Sequence, residues 1–383
     1  MERLRIMHII EGLSLGGAER RLVNDLKFIN KLRFENAVCV LFNRLDLEKE
    51  VSVLNVPLYK LNLRNSADFP CFFKLLKLIK SFNPDIIHTQ LFWADILGRA
   101  AAKISGVSAV VSTVQSSVYE PESGYLFSRK RKLLDRITGM IINGNYIAVS
   151  EFVKKSIVRR LKIKEGKVRV IYNYVDSSGF EKLAPKAKDR LRNRLGLSEE
   201  DIVMSTVGRL NPPKGHHFLL EALAILRPEF PTLKLLIIGD GPSRNMLEEC
   251  ARRLGIEREA VFLGMRPDVQ ELVQISDVFV FPTLSEGMPI SLLEAMAMQM
   301  PCVASAIGPI LEVINDGENG YLFSPGDSQG LASVLRGIFK SRDKMEEVGL
   351  KGAISIRDKF SAAEAVERLS ALYEELCARE NNN

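Results

Sequence analysis

The sequence has 383 residues, more than one hydrophobic core usually serves, and this length predicts two domains. Hydrophobic residues make up 46% of the chain and charged residues 26%, values that exclude a disordered or fibrous protein. The net charge of +6 and the pI of about 9.0 suit a polyanionic substrate, nucleic acid or an anionic membrane surface equally well.

The first half of the chain alternates short apolar runs with segments of helical period, a rhythm typical of βα units. The stretch before the first glycines is too short for a signal peptide, and no apolar run reaches membrane-spanning length, so we expect a cytoplasmic protein. The runs predicted to be strands cover residues 5–10, 37–42, 85–89, 109–113, 146–149 and 167–172.

A glycine-rich turn follows the first predicted strand and leads directly into a helical segment. Its glycines, Gly16 and Gly17, allow a close approach of the backbone to a phosphate, and the helix N-terminus adds partial positive charge. A purely structural strand-to-helix turn explains the same residues, so the motif alone leaves both interpretations open.

Residues 68–82 combine phenylalanines and leucines with three lysines, and residues 129–132 read RKRK. The first segment has the pattern of a basic amphipathic helix, which can lie on an anionic membrane, and the second would add electrostatic attraction. A core helix with a solvated lysine face is the alternative for residues 68–82.

A charged stretch at residues 176–200 separates the first βα series from a second one. We therefore predict an α/β protein with a domain at 1–175, a second domain at 176–360 and a terminal helix with a polar tail at 361–383 that returns to the first domain. Ligands of such doubly wound sheets bind beyond the carboxyl ends of the strands. The strands predicted for the second series are 202–207, 233–238, 260–263, 278–281 and 301–305.

The loop after the strand at 202–207 carries two cations, Arg209 and Lys214, beside Gly208. Arginine offers bidentate contacts and lysine a point charge, so together they would offset the charge that develops on a leaving diphosphate. Two solvated surface charges would look the same in the sequence.

The segment after the strand at 278–281 contains two glutamates, Glu286 and Glu294. A tight loop is predicted to open a helix between them, with backbone N–H groups pointing into the cleft and Glu294 two turns down the same face. A carboxylate among apolar neighbours needs a partner, and ribose hydroxyls or an internal salt bridge would both serve. The residues of that loop are Gly287, Met288, Pro289 and Ile290.

The cysteines and histidines show no spacing typical of metal sites, with neither a CxxC nor an HExxH motif. We therefore expect reduced core thiols and no zinc. The five cysteines are Cys39, Cys71, Cys250, Cys302 and Cys377.

Taken together, these segments resemble the retaining glycosyltransferases of family 4, which have the GT-B fold of two Rossmann-like domains facing a central cleft. The similarity spans nearly the whole chain in order and spacing. It rests on the Gly16 turn, Val207–Leu210 with Lys214-Gly215, Ile238–Pro242, Leu263-Gly264 and the acidic pair Glu286 and Glu294, the family's E-x7-E.

The resemblance implies a nucleotide-sugar donor, whose diphosphate would be held by Arg209 and Lys214. Glu294 would bind its ribose, and Glu286 the transferred sugar. Gly16 and Gly17 would approach the phosphate, and the segment from Leu263 to Arg266 would meet the base. No cofactor or metal is expected, because the cations and helix amides replace it, and the sequence has no D-x-D motif.

Three positions depart from the family pattern. Gln115 stands where the family usually has a histidine that contacts the donor sugar; glutamine can hydrogen-bond a sugar but cannot carry positive charge. Gln299 replaces a glycine, which would constrain a turn that needs positive φ, and Pro309 lacks an N–H. A retaining transfer needs no protein base, since the acceptor proton can pass to the leaving phosphate, so Gln115 leaves catalysis open to being slower, altered in donor choice or absent.

The preferred function is sugar transfer to a saccharide or lipid-linked acceptor of the cell envelope, by a cytoplasmic enzyme that also binds the inner face of the membrane. A soluble sugar-storage transferase, an epimerase and a catalytically silent nucleotide-sugar-binding subunit are the alternatives. Nucleic-acid binding lacks any stacking or helix-turn-helix motif.

Overall fold

The computed structural model describes residues 3–64, 68–116, 129–142, 144–176, 179–180 and 182–380. These residues form two compact units. The chain passes from the first unit to the second at Tyr174 and Val175, and returns to the first at Ser361 and Ala362.

The first unit contains a seven-stranded parallel sheet with the order β3-β2-β1-β4-β5-β6-β7. The sheet reverses its strand order at β1 and β4, as doubly wound sheets do. Its strands are β1 (Leu4–Ile10), β2 (Phe34–Val40), β3 (Leu58–Lys60), β4 (Ile86–Gln90), β5 (Ala109–Val114), β6 (Asn145–Ala148) and β7 (Val168–Val170).

Helices connect these strands and cover the sheet, and the last helix of the chain adds a buried face to the same core. Leu369, Tyr373 and Leu376 of that helix pack with Ile6 and Val111 of the sheet. The helices are α1 (Gly17–Phe28), α2 (Glu48–Val53), α3 (Phe69–Phe82), α4 (Phe92–Ser105), α5 (Arg129–Ile142), α6 (Glu151–Leu161) and the terminal α15 (Ala362–Glu380).

The second unit contains a six-stranded parallel sheet with the order β10-β9-β8-β11-β12-β13. Its central strands are apolar and buried on both faces, as parallel sheets covered by helices require. The strands are β8 (Ile202–Val207), β9 (Leu233–Ile238), β10 (Ala260–Gly264), β11 (Val278–Phe281), β12 (Cys302–Ser305) and β13 (Tyr321–Phe323).

The helices of the second unit begin within the charged stretch that separates the two βα series. They are α7 (Pro185–Arg194), α8 (His216–Leu226), α9 (Arg244–Arg253), α10 (Val269–Gln274), α11 (Ile290–Ala297), α12 (Gly308–Leu311), α13 (Ser328–Phe339) and α14 (Arg342–Lys359). The prediction of an α/β protein with two doubly wound parallel sheets is confirmed. Across the described ranges, no helix is both long and apolar enough to span a bilayer.

Candidate active site

The loop that follows β8 is held in place by the loop that follows β9. The N–H of Gly208 donates to Ile238 O at 3.0 Å, and the N–H of Leu210 donates to Asp240 O at 3.0 Å. Gly239 has φ 136°, and any Cβ at this position would collide with the carbonyl group of Gly208. Glycine is therefore required there, and Arg209 is presented at the carboxyl edge of the sheet, where it is exposed.

The same loop is also fastened to the neighbouring strand β11. Its 3₁₀ turn, Pro212–Lys214, accepts a hydrogen bond at Pro213 O from the N–H of Leu284 at 2.8 Å and another from Thr283 Oγ1 at 3.1 Å. Gly215 has φ 65° and packs against the Pro282 carbonyl too closely for a Cβ. These contacts fix the start of the Lys214 side chain over the end of β11.

Lys214 and Glu286 form a direct ion pair at this edge, between Lys214 Nζ and Glu286 Oε1. Thr283 Oγ1 also lies 3.2 Å from Glu286 Oε1, so its single O–H is shared between this carboxylate and Pro213 O. The Lys214 ammonium lies 5.6 Å from the centre of the Phe281 ring. The side chains of Lys214 and Glu286 are only 23% and 12% exposed, so their charges act in a medium less screening than water. The fold has thus brought together two residues that are 72 positions apart in the chain.

The loop before α11 contains Gly287, Met288 and Pro289, and the helix begins at Ile290. Pro289 is the N-cap of this helix. As in every helix, the first N–H groups of α11 have no partner within the helix, and they lie at the end of α11 that follows the Glu286 loop. Glu294 lies half-buried in the second turn. The expectation that Glu286 and Glu294 share one helical face is wrong, because Glu286 precedes the helix and lies in the loop.

Two further predicted residues lie at β10. Leu263 is half-buried within the strand, and Arg266 follows it. Arg266 Nη2 pairs with Asp268 Oδ2 at 2.6 Å, and this hydrogen bond raises the pKa of Arg266 above its ordinary value. Arg266 thus lies in the segment predicted to meet the base, and Asp268 neutralises its charge.

The two other departures from the family pattern have clear structural consequences. Gln299 has φ 62°, a left-handed conformation that glycine adopts more readily, so this turn is constrained as expected. Pro309 lies in the first turn of α12, where an N–H has no partner within the helix in any case. The proline therefore costs the helix nothing.

Gly16 and Gly17 lie at the N-terminus of α1 in the first unit, Gly16 as the cap and Gly17 as the first helical residue. The carboxylate of Glu19 folds back onto this turn, where Glu19 Oε1 accepts from Ser14 Oγ at 2.7 Å, and a Cβ at Gly16 would collide with it. Burial raises the pKa of Glu19. The carboxyl group of Glu19 therefore lies against Gly16, beside the position predicted for the donor phosphate.

Gln115 directly follows β5, next to the last residue of β4, Gln90. Its Nε2 donates to Gln90 Oε1 at 3.4 Å, and its Oε1 accepts from Asn173 Nδ2 at 3.4 Å. Three amide side chains therefore meet at the carboxyl edge of the first sheet.

Two models of known families match the chain one after the other. The model described as Glycosyltransferase Family 4 matches residues 15–178, and the model described as Glycosyl transferases group 1 matches residues 187–353. The chain is a family 4 glycosyltransferase.

Two relatives in this family are similar over four fifths of the chain or more. A UDP-Gal:alpha-D-GlcNAc-diphosphoundecaprenol alpha-1,3-galactosyltransferase of Escherichia coli is 28% identical over 380 residues, covering 97% of both chains. The capsular polysaccharide biosynthesis glycosyltransferase CapM of Staphylococcus aureus is 26% identical over 318 residues, covering 80% of this chain and 81% of the relative. These similarities agree with the transferase activity that the resemblance predicted.

Solved structures show the same fold. The structure of HepE from Anabaena in complex with UDP-glucose has a TM-score of 0.86 and 22% sequence identity, and covers 97% of this chain and 100% of that protein. The family 4 glycosyltransferase described here therefore has the two-domain GT-B fold.

Sequence reasoning missed several residues that build the site. Thr283 and Pro213 tie the Lys214 loop to Glu286, and Gln90 and Asn173 contact Gln115. The available signal for Gln90 was its place as the last residue of a buried strand, at the carboxyl edge where ligands of such sheets bind. Asn173 had none, because its role depends on a tertiary contact.

Proposed function

We propose that this glycosyltransferase moves a sugar, with retention, from a nucleotide-diphosphate sugar to a saccharide or lipid-linked acceptor of the cell envelope. The observation that carries the proposal is the half-buried contact of Lys214 with Glu286 at the carboxyl edge of the second sheet, on the loop that also contains Arg209. The named acceptor of the Escherichia coli relative, a GlcNAc-diphosphoundecaprenol, supports the lipid-linked class.

Lys214 and Arg209 would stabilise the negative charge that grows on the diphosphate as its bond to the sugar breaks. Glu286 would hold the ammonium of Lys214 in place before the donor binds. The Lys214 side chain would then need little rearrangement when phosphate oxygens bind its ammonium, either instead of Glu286 or together with it. Glu286 would then accept a hydrogen bond from a sugar hydroxyl. Gly208, the N–H groups at the start of α11, and Glu294 on the ribose complete the proposed donor contacts.

Retention and independence of metal follow from the same chemistry. The acceptor oxygen would form its bond to the sugar on the face that the diphosphate leaves, while the acceptor proton passes to a phosphate oxygen. The two cations and the helix amides supply the stabilisation that a divalent ion gives elsewhere. No protein base is required by this route.

The direct test is hydrolysis or transfer of candidate nucleotide sugars by the purified protein, followed by the same assay on Lys214→Ala and Glu286→Ala. We expect turnover by the wild type and its loss in both variants. Turnover that survives both changes would remove the proposed site, and binding without turnover would favour a catalytically silent subunit.

We further propose that the enzyme binds an anionic membrane surface, through α5 rather than α3. The apolar residues Cys71, Leu75 and Ile79 of α3 are buried, which supports the core-helix interpretation of that segment. In α5, by contrast, a row of large apolar side chains is exposed at helical spacing: Leu133 at 56%, Ile137 at 43%, Met140 at 66% and Ile141 at 58%.

Basic residues border this apolar row on α5. Lys130, Arg131 and Arg136 are exposed, so the helix presents apolar side chains flanked by cations, the pattern of an interfacial helix. Co-sedimentation with vesicles tests the proposal: Met140→Glu should reduce binding to anionic vesicles. The control Ile104→Glu, at an equally exposed apolar residue on α4, should not. Wild-type binding that ignores anionic lipid and salt would contradict it.

A further inference from the structure

Helix α5 is amphipathic in the opposite sense to an ordinary surface helix. Its row of large apolar side chains, from Leu133 to Ile141, is exposed. Among the described residues of this helix, the buried ones are Asp135, Gly139 and Ile142, which share the other face. Apolar burial therefore contributes less than usual to the docking of α5, and polar contacts must supply much of the rest.

The main polar contact of α5 is made by Arg99 of α4. This side chain is 2% exposed, and its Nη1 donates to Asp135 Oδ1 at 2.5 Å and to Asp135 O at 3.3 Å. Its Nε donates to Ser112 Oγ of β5 at 3.0 Å, and its guanidinium lies 5.1 Å from the centre of the Tyr146 ring. Burial raises the pKa of Tyr146 to about 12, so its hydroxyl stays neutral. Arg99 thus joins α5 to the first sheet.

Arg99 has a second carboxyl group within reach, on its own helix. Asp95 Oδ2 lies 3.8 Å from Arg99 Nη2, and Asp95 Oδ1 accepts a hydrogen bond from Thr89 Oγ1 at 2.5 Å. A separation of 3.8 Å is too long for a hydrogen bond, and Nη2 is buried with no hydrogen-bond partner among the described residues. Because buried donors are almost always paired, a second arrangement in which Nη2 closes onto Asp95 is available to this guanidinium.

The two carboxyl groups change what happens when the ion pair across the helices breaks. Removing one partner of a buried ion pair usually leaves a buried, uncompensated charge, which strongly destabilises a protein. Here Arg99 would keep Asp95 as its counter-ion, and Asp135 would enter water with α5. The release of α5 therefore leaves no buried charge without a partner.

We propose that Arg99 is a two-position latch, which docks α5 through Asp135 and releases this helix by turning to Asp95. The docked helix turns its apolar row outward, so the docked form is the one that presents this row to an anionic membrane. The latch itself goes beyond the proposed sugar transfer. Its consequence for the membrane rests on the membrane binding proposed above for α5.

The proton on Asp95 selects between the two positions. In the docked form, burial raises the pKa of Asp95 to about 7; Arg99 opposes this shift, Asp135 adds to it, and Thr89 and Glu11 have smaller opposing effects. In the released form Asp95 would pair with Arg99 and titrate at or below the ordinary aspartate value of about 3.9. Docking thus takes up a proton, so it is favoured at low pH, weakens as the pH rises to about 7 and then levels off.

Hydrogen exchange of the α5 amides tests the latch on the full chain, without vesicles or substrate. In the wild type, the protection factor should fall by up to about a hundredfold from pH 5 to pH 7.5, because this range lies between the two pKa values of Asp95. Asp95→Asn removes the competing charge, so protection should stay high at both pH values. Asp135→Asn removes the docking partner, so protection should be low at both.

Two results would overturn the latch. One is a pH-dependent loss of protection in Asp95→Asn as large as in the wild type, and the other is wild-type protection in a folded Asp135→Asn. The matched control is Glu50→Gln, which breaks an exposed ion pair between α2 and α1, with Arg20 at 2.6 Å, and should leave α5 unchanged.

The single tryptophan of the chain separates release of α5 from general unfolding. Trp93 lies beside α5, with its ring centre 5.9 Å from the guanidinium of Arg131. Acrylamide should quench its fluorescence more strongly in Asp135→Asn than in the wild type, while the amides of β4 and β5 stay protected. If Asp135→Asn loses protection in these strands too, the comparison of the wild type with Asp95→Asn decides.

Anionic vesicles test the consequence for the membrane. Asp95→Asn and Asp135→Asn have the same net charge, but at pH 7.5 the first should bind vesicles about tenfold more tightly, because its α5 is already docked with the apolar row outward. Equal binding would overturn the link between docking and the membrane. If hydrogen exchange behaves as expected but the wild type binds no anionic vesicles, the membrane binding proposed for α5 fails and the latch stands.

Discussion

The carboxyl edges of the two sheets have the same architecture but opposite chemistry. The second sheet presents charge: Arg209 is exposed, and Lys214 and Glu286 are paired in a half-buried position. The first sheet presents neutral amides, Gln90 and Gln115, and keeps its ion pair, Arg21 with Asp25, buried beneath them. Under the proposed function this difference would be a division of labour, in which the charged edge would bind a diphosphate and the neutral edge would bind a sugar.

Removing the charge of the second edge should have the largest effect. Lys214→Ala is expected to lower kcat/KM about 10³-fold, because a preorganised cation facing the leaving diphosphate is lost. The matched control is Lys351→Ala, which breaks an exposed lysine–glutamate pair with Glu347 on α14 and should leave the kinetics unchanged. Steady-state kinetics check both, and an equal effect of the two variants would show that charge at this edge has no special role.

The backbone that presents Arg209 should be nearly as sensitive. Gly239→Ala is expected to lower the free energy of unfolding by about 3 kcal/mol, because the new Cβ collides with the Gly208 carbonyl at a positive φ. Gly337→Ala, in helix α13 with open space around its Cβ, should instead stabilise the protein by about 0.5–1 kcal/mol. Urea unfolding of both variants measures this contrast. Equal effects would mean that the loop tolerates a Cβ after all.

The pH dependence of stability should differ between two histidines, the fully buried His88 and the half-buried His217. Burial, then the neighbouring His8 and Arg21, hold the pKa of His88 well below its ordinary value, so the unfolded chain binds the proton more tightly. This contribution to stability is complete above about pH 6.5 and is lost as pH falls, by up to about 2 kcal/mol at pH 5.

The variants His88→Gln and His217→Gln test this expectation. His217 is only half-buried. Burial lowers its pKa as well, but the negative charge of Glu221 opposes this effect. The wild type should lose unfolding free energy when the pH falls from 7.5 to 5. This loss should be clearly smaller in His88→Gln, whereas His217→Gln should change it less. An unchanged pH slope in His88→Gln would contradict the neutral, buried state of this ring.

The smallest expected effect is that of chelation. Because Lys214 and Arg209 are proposed to do the work of a metal ion, EDTA should leave the transfer rate unchanged. Loss of transfer on chelation, with recovery on adding a divalent cation, would contradict the assignment of these residues. The assay should follow sugar transfer rather than donor hydrolysis, so that both substrates are bound.

The sequence predicted the strands that are buried on both faces. The bounds of β8, β9 and β11 match the predicted runs, because continuous apolar runs bounded by turns are distinctive. It missed β3 and β13, which have three residues each and are partly exposed. Three residues carry no periodicity of their own, whereas β7, which is equally short, lies within the longer predicted run 167–172.

The site was partly predictable for a similar reason. Lys214 and Glu286 were candidates because charged residues follow strands in the sequence, but their direct contact depends on the adjacency of β8 and β11. The contacts that join Gln90, Gln115 and Asn173 link three separate segments, and no local pattern reveals them. The apolar row on α5 was hidden for another reason: helical spacing shows which residues share a face but not whether that face is covered.

The division of labour between the two edges is tested most directly by calorimetric titration of UDP into the wild type, Lys214→Ala and Gln115→Leu. The account predicts that Lys214→Ala weakens UDP binding about a hundredfold, as expected for a half-buried ion contact, and that Gln115→Leu leaves it unchanged. UDP binding that is unaffected by Lys214→Ala, or abolished by Gln115→Leu, would contradict it.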